Sequence, residues 1–207
     1  MSPTATASST WSRASTWCST LRRVLAPAPA VSRSTGIRNV VDAVTATGAH
    51  LLYVSIVGVD RHRFPYYKVK REAERIISAS RCAWTIQRAT QFHDLLDAFL
   101  AMPLFLRTPH LAFQVVDAGE VAQRLIAPTE GAPKGRAPDF GGPEIAPIST
   151  LASTRREVTG RPVALLPVPR VGFLRDFDDG RHRCPDRRDG HKTWSEWLRE
   201  TTRAPNL

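Results

Sequence analysis

Apolar residues along the chain recur with two alternating periods from residue 36 onward. Residues 36–48 carry Val40, Val41 and Val44 on one face and stop at Gly48, which predicts a helix. Residues 50–58 (HLLYVSIVG) form an almost unbroken apolar run rich in β-branched side chains, the pattern of a strand covered on both faces. Pro65 then opens a second helix, to about Ser80, with Val69, Ala73, Ile76 and Ile77 at i, i+4, i+7 and i+8. Residues 82–89 (CAWTIQRA) read as a second buried strand and residues 91–100 as a further helix. Such alternation implies βαβ units and a parallel sheet, whose reactive loops lie at the carboxyl ends of its strands, here residues 55–60 and 88–93.

The pattern weakens past residue 100. A short strand is expected at 113–116, a helix capped by Asp117 running to Ile126, and a Pro/Gly-rich loop over 127–147 with a strand near 136–140. A helix over 151–159, a strand over 163–168, an irregular charged stretch from Arg175 to Lys192 and an amphipathic segment over 194–200 complete the reading.

Residues 1–35 stand apart. Fourteen are Ser or Thr, four are Arg, none is acidic, and no hydrophobic period survives. A disordered arm, a transit peptide and a shifted reading frame or misplaced start all fit, the last best. The expected organisation is therefore an N-terminal segment over 1–35 and one domain over 36–200.

Charge changes this picture little. The chain carries a net +10, but four of its arginines lie before residue 36, and the other basic residues are interspersed with carboxylates. No basic stripe interleaved with aromatics appears, so nucleic acid is not an expected partner. No apolar run approaches the roughly 18 residues of a membrane span. Three scattered cysteines, Cys18, Cys82 and Cys184, form no disulfide framework and point to a reducing, cytoplasmic setting.

The candidate chemistry is Ser55 with Tyr66 and Lys70. Tyr-x-x-x-Lys on a helix puts phenol and ammonium on one face a turn apart. An ammonium beside a phenol favours the phenolate, so such a tyrosine can exchange a proton with a carbonyl or hydroxyl oxygen near neutral pH. Ser55, closing the preceding strand, is placed to hydrogen-bond the same oxygen. Tyr67 has Arg71 at the equivalent spacing and does not substitute for Tyr66. The motif alone is common in helices; the buried strands on either side of it give it weight. Other candidates are weaker. His182, Cys184 and His191 match no common zinc spacing and sit among arginines, which implies a solvated loop and no metal site. His93 and Asp94 are adjacent on a helix and diverge, His93 toward a pocket and Asp94 toward the surface. Cys18 has no base nearby, and Trp194 and Trp197 read as a packing anchor.

The runs 36–43 (GIRNVVDA), 53–60 (YVSIVGVD), 65–70 (PYYKVK) and 84–94 (WTIQRATQFHD) resemble the middle of an atypical short-chain dehydrogenase/reductase of the NmrA-like or NAD(P)-dependent epimerase-like branch. Looser similarity continues through 113–117 and 141–144. The resemblance implies an α/β, partial Rossmann-like parallel sheet with flanking helices and a small irregular C-terminal part. It implies NAD or NADP as cofactor, a small-molecule substrate, and an oxidoreductase or epimerase activity. Ser55, Tyr66 and Lys70 would handle the substrate oxygen, with Lys70, Ala89 and Thr90 beside the nicotinamide and Gln91, Phe92 and His93 lining the substrate pocket. The departure from the family is at the front. No Gly-rich strand–turn–helix precedes Gly36, the first glycine of the chain, so the N-terminal strands of the family are expected to be missing. The resulting expectations are impaired dinucleotide binding and a sheet edge open to homo-oligomerisation. The alternative within the same branch is a dinucleotide-sensing regulator without catalysis; an intact Tyr66/Lys70 pair favours catalysis.

Overall fold

The computed structural model describes residues 30–102, 104–126 and 135–203. Residues 1–29 lie outside the described residues, and with them nearly all of the segment set apart by its composition. The first described helix, α1 (Ala30–Thr47), begins six residues upstream of Gly36. Val41 faces inward while Val40 is exposed, because adjacent helical residues point about 100° apart.

The core of the chain is β1 (His50–Ile56), α2 (Pro65–Ser78) and β2 (Ala83–Ala89), close to the expected elements. Pro65 sits in the first turn of α2, where its missing N–H costs nothing. The two strands run parallel with Tyr53 opposite Ile86 and Ser55 opposite Arg88. Ile76 and Ile77 of α2 pack with Val41 and Ile86 over the sheet. A short strand β7 (Gly135–Arg136) adds to β2, giving the order β1–β2–β7, all parallel. β1 is thus an outer strand among the described residues and, apart from Ser55, is half-buried rather than enclosed on both faces.

Beyond β2 the expected helix over 91–100 divides. Gln91 and Phe92 form β3, paired in parallel with β6 (Val115–Val116), and the helix proper is α3 (His93–Leu100). The strand expected over 113–116 is likewise broken into β5 (Ala112–Phe113) and β6. The break is Gln114, whose buried amide donates to the carbonyls of Gly142 and Arg187 and accepts the Cys184 N–H. β4 (Leu104–Arg107), absent from the periodicity, pairs in parallel with β9 (Ala164–Pro167). Helix α4 (Ala118–Ile126) is capped as expected, the Asp117 carboxylate accepting the Glu120 N–H at 3.0 Å. β8 (Ala146–Pro147) runs antiparallel to β5, and α5 (Ile148–Thr159) follows it. The terminal helix α7 (Trp194–Arg203) packs Trp194, Trp197 and Leu198 against Leu96, Leu100, Ile148 and Leu151. No helix among the described residues is long and apolar enough to cross a membrane.

The stretch expected to be irregular and solvated contains α6 (Leu174–Asp178), and several of its polar side chains are inside. Asp176 and His182 are both 0% exposed. Residues 172–182 form a strap lying across the loop that follows β1.

Candidate functional site at the carboxyl end of the sheet

Strand β1 ends at Ile56 and turns through Gly58, whose φ of 77° is natural only to glycine. A Cβ there would stand 1.9 Å from the Arg181 carbonyl oxygen, so the absent side chain admits the strap to the sheet end. Electrostatics fix the strap in place. Arg63 donates to both carboxylate oxygens of Asp176 at 2.9 Å and to the Gly172 carbonyl at 3.0 Å, and Arg181 reaches Asp176 at 3.0 Å. Hydrogen bonds from Arg63, with charge from Arg181 and Arg63, hold the Asp176 carboxyl down to about 2 despite its burial. Arg181 also donates to the Arg61 carbonyl. On the next strand Arg88 is buried and clamped by Glu74 at 2.7 and 2.9 Å and by Asp60 at 3.2 Å, tying β2 to α2 and to the loop after β1.

The three residues assigned to proton transfer lie on β1 and the first turns of α2. Lys70 donates to the Val54 carbonyl at 2.9 Å, with its ammonium 4.7 Å from the centre of the Tyr53 ring. Burial lowers its pKa to about 8, against the opposing charge of Glu74. Ser55 is 2% exposed, and its hydroxyl finds no hydrogen-bond partner. Tyr66 is half-buried, and its charge when ionised adds to the forces that keep Tyr53 and Tyr67 protonated. For both of those phenols burial is the larger cause of the upward shift.

Ala89, Thr90, Gln91 and Phe92 follow at the end of β2, but they are well engaged by the protein itself. Ala89 packs with Val116, Val121 and Phe140, and the Thr90 hydroxyl accepts the Gly142 N–H at 3.1 Å. His93 is fully buried beneath Trp194 and Trp197, its ring 5.8 and 5.6 Å from theirs, and neither of its nitrogens has a partner. Burial depresses it to about 4. Asp94 points outward, as expected.

Sequence reasoning missed the residues most deeply set in this site: Tyr67, His62 and His182. Tyr67 lies about 100° round the helix from Tyr66, off the apolar stripe. It is buried because Phe177 of the strap, 110 positions later, comes to 6.1 Å of its ring. The stretch around His182 was read as solvated on its charge, yet His182 sits beneath the surface with its Nε2 on the Ala112 carbonyl at 3.0 Å. No local signal marks either residue. No group of three or more His, Cys, Asp or Glu among the described residues is arranged to hold a metal.

No protein-family model matches the chain, and no curated protein matches it in sequence. Solved structures share its fold. An NADPH-dependent quinone oxidoreductase of Escherichia coli superposes with a TM-score of 0.60 at 15% identity, over 80% of this chain and 72% of its own. A nucleoside-diphosphate-sugar epimerase of Staphylococcus aureus gives 0.60 at 18%, over 84% and 73%. A triphenylmethane reductase of Citrobacter sp. gives 0.59 at 17%, over 83% and 70%. The architecture is therefore the Rossmann-like α/β fold of NAD(P)-dependent reductases and epimerases, with parallel strands and flanking helices. At these identities the likeness is one of fold.

The fit to a dinucleotide is incomplete. The resemblance assigns Lys70, Ala89 and Thr90 to the nicotinamide end; in the structure Lys70 and Thr90 bond within the protein. The described residues include no strand leading through a Gly-rich turn into a helix, the device that would hold the diphosphate.

Proposed function

We propose that this chain is an oxidoreductase- or epimerase-like protein of the short-chain dehydrogenase/reductase class, acting on a small molecule, with weak affinity for NAD(P). Tyr66 exchanges the proton with the substrate oxygen, Lys70 is its charge partner one turn along α2, and Ser55 orients the oxygen. The observation that supports the reading is the Lys70 amine on the carbonyl of Val54, next in the chain to the buried and unpartnered Ser55 hydroxyl, with Tyr66 four residues before Lys70 on α2. The dinucleotide's diphosphate has no matching cradle among the described residues, so the steps assigned here are confined to the chain's own groups.

The test is NADPH titration of the full chain, followed by carbonyl-dependent NADPH oxidation at millimolar cofactor. Micromolar affinity overturns the weak-binding half of the reading. Turnover is expected to fall by about 100-fold or more in Tyr66→Phe with NADPH binding unchanged. Wild-type protein that turns over no carbonyl compound at saturating cofactor overturns the catalytic half.

A further inference from the structure

Tyr66, Lys70 and Glu74 stand at i, i+4 and i+8 of α2, so they succeed one another along one side of the helix, a turn apart. That side faces β1. The Lys70 amine donates to the Val54 carbonyl and lies 4.7 Å from the centre of the Tyr53 ring. Burial, and then the charges of Tyr66 and Glu74, keep the Tyr53 phenol protonated. All three α2 side chains therefore act on one residue of β1.

The place of Glu74 is set from outside its helix. Arg88 of β2, opposite Ser55 in the ladder, donates through Nε and Nη2 to the two Glu74 oxygens at 2.9 and 2.7 Å, and through Nη1 to Asp60 at 3.2 Å. The pair is sheltered, with the Arg88 side chain 7% and the Glu74 side chain 12% exposed. A guanidinium forked onto both oxygens fixes the carboxylate in distance and in plane. Glu72 differs in each respect. Its partner is Arg75 of the same helix, and both side chains are open to solvent.

Burying an ammonium favours loss of its proton, and a nearby carboxylate opposes that loss. Both act on Lys70: burial takes the amine down to about 8, and Glu74 is the charge that resists. The other groups around it do not share this part. Tyr53 is uncharged, Asp60 lies beyond Arg88, and Arg38 of α1 acts on Glu72.

We propose that Glu74 is a positioning residue of the site, held by Arg88 so that its carboxylate keeps Lys70 in the charged form that partners Tyr66. The inference rests on the reading of Tyr66 and Lys70 as the proton-transfer pair. Glu74 touches no reacting atom in this scheme; it acts through Lys70.

The chain has four lysines, Lys68, Lys70, Lys134 and Lys192, so NMR of isotope-labelled lysine ε-carbons follows each amine, with Lys70 identified by its loss in Lys70→Arg. In the unaltered full chain, without dinucleotide, the Lys70 signal is expected to titrate at about 8, and the Glu74 carboxyl carbon to show the same step. Glu74→Gln keeps the side-chain shape and one acceptor for Arg88, and should lower the Lys70 midpoint by about one pH unit. Glu74→Asp keeps the charge and should recover most of that shift. Glu72→Gln removes a carboxylate of the same helix and should leave Lys70 in place. A Lys70 midpoint unmoved by Glu74→Gln, or moved as far by Glu72→Gln, overturns the proposal. So does a Glu74 signal blind to the Lys70 step, which needs no variant. Where the chain turns over a carbonyl compound, the alkaline limb of its pH profile should move down with the Lys70 midpoint in Glu74→Gln. Lys70 shifts as expected in a chain without turnover sink the catalytic reading alone. Turnover lost in Tyr66→Phe, with Lys70 indifferent to Glu74→Gln, sinks this inference alone.

Discussion

The β1–α2–β2 unit and the strap that crosses its end are held by different physics. The unit is a parallel ladder of seven paired residues under an aliphatic layer of Val41, Ile76, Ile77 and Ile86. Its stability comes from apolar burial, which is insensitive to pH and shallow in its dependence on any single atom. The strap has one short helix and little aliphatic cover. It is fixed by ions around a buried carboxylate, by neutral imidazoles in an aromatic nest, and by a glycine that lets backbone touch backbone. Directional interactions of this kind give position at the expense of tolerance. The proposed chemistry lies where the rigid part and the conditional part meet.

Acidification should separate the two regions most strongly. Burial first of all holds His62 to about 4 and His182 to about 3, below the ordinary 6.5. A folded-state pKa depressed in this way means that the contribution is fully present above about pH 6.5 and is lost as pH falls from there toward 4 and 3. At roughly 1.4 kcal/mol per pH unit, His62 accounts for up to about 3.5 kcal/mol and His182 for up to about 5 kcal/mol. Asp176 remains ionised to about 2, so the arginine clasp survives this window and the imidazoles account for the change. Hydrogen exchange between pH 7 and pH 4 is expected to show the strap opening before β1 and β2; simultaneous loss of both would dissolve the distinction.

Gly58→Ala is expected to rank next. The new methyl meets the Arg181 carbonyl and carbon at 1.9 and 2.9 Å, both backbone atoms, on a residue whose φ of 77° also disfavours alanine. Displacement of the strap should cost about 4 kcal/mol in urea unfolding, at the upper end for single substitutions. Smaller, and on the other side of the comparison, Ile77→Ala removes a fully buried side chain beneath the sheet and should cost about 3 kcal/mol. Its loss is expected to be the same at pH 7 and pH 5, where a change in the strap is not.

The same division explains what the sequence made readable. β1, α2 and β2 lie within a residue or two of their expected bounds because each buries a face set by its own period. The Asp117 cap was legible for the same local reason. Tyr67 was not, since the rings that bury it come from Phe177 and His62, one of them on the far side of the chain in sequence. The pairing of β4 with β9 joins residues some sixty positions apart and leaves Leu104, Leu106 and Leu166 exposed, so no inward-facing alternation announced it. The residues 175–192 looked solvated because their charges are visible in the sequence, whereas the partners that neutralise Asp176 are not.

The position of β1 as an outer strand among the described residues gives Lys70 a duty besides its proposed one. Val57 N–H points to β2, and the backbone of Val54, an odd number of residues away, faces the other side, where the Lys70 amine occupies its carbonyl. The amine thereby blunts one rung of a ladder that would otherwise template a further strand. Replacing Lys70 by methionine removes the charge proposed to tune Tyr66 and unmasks that rung at the same time. Turnover in such a variant therefore becomes interpretable only beside its sedimentation behaviour at the same concentration.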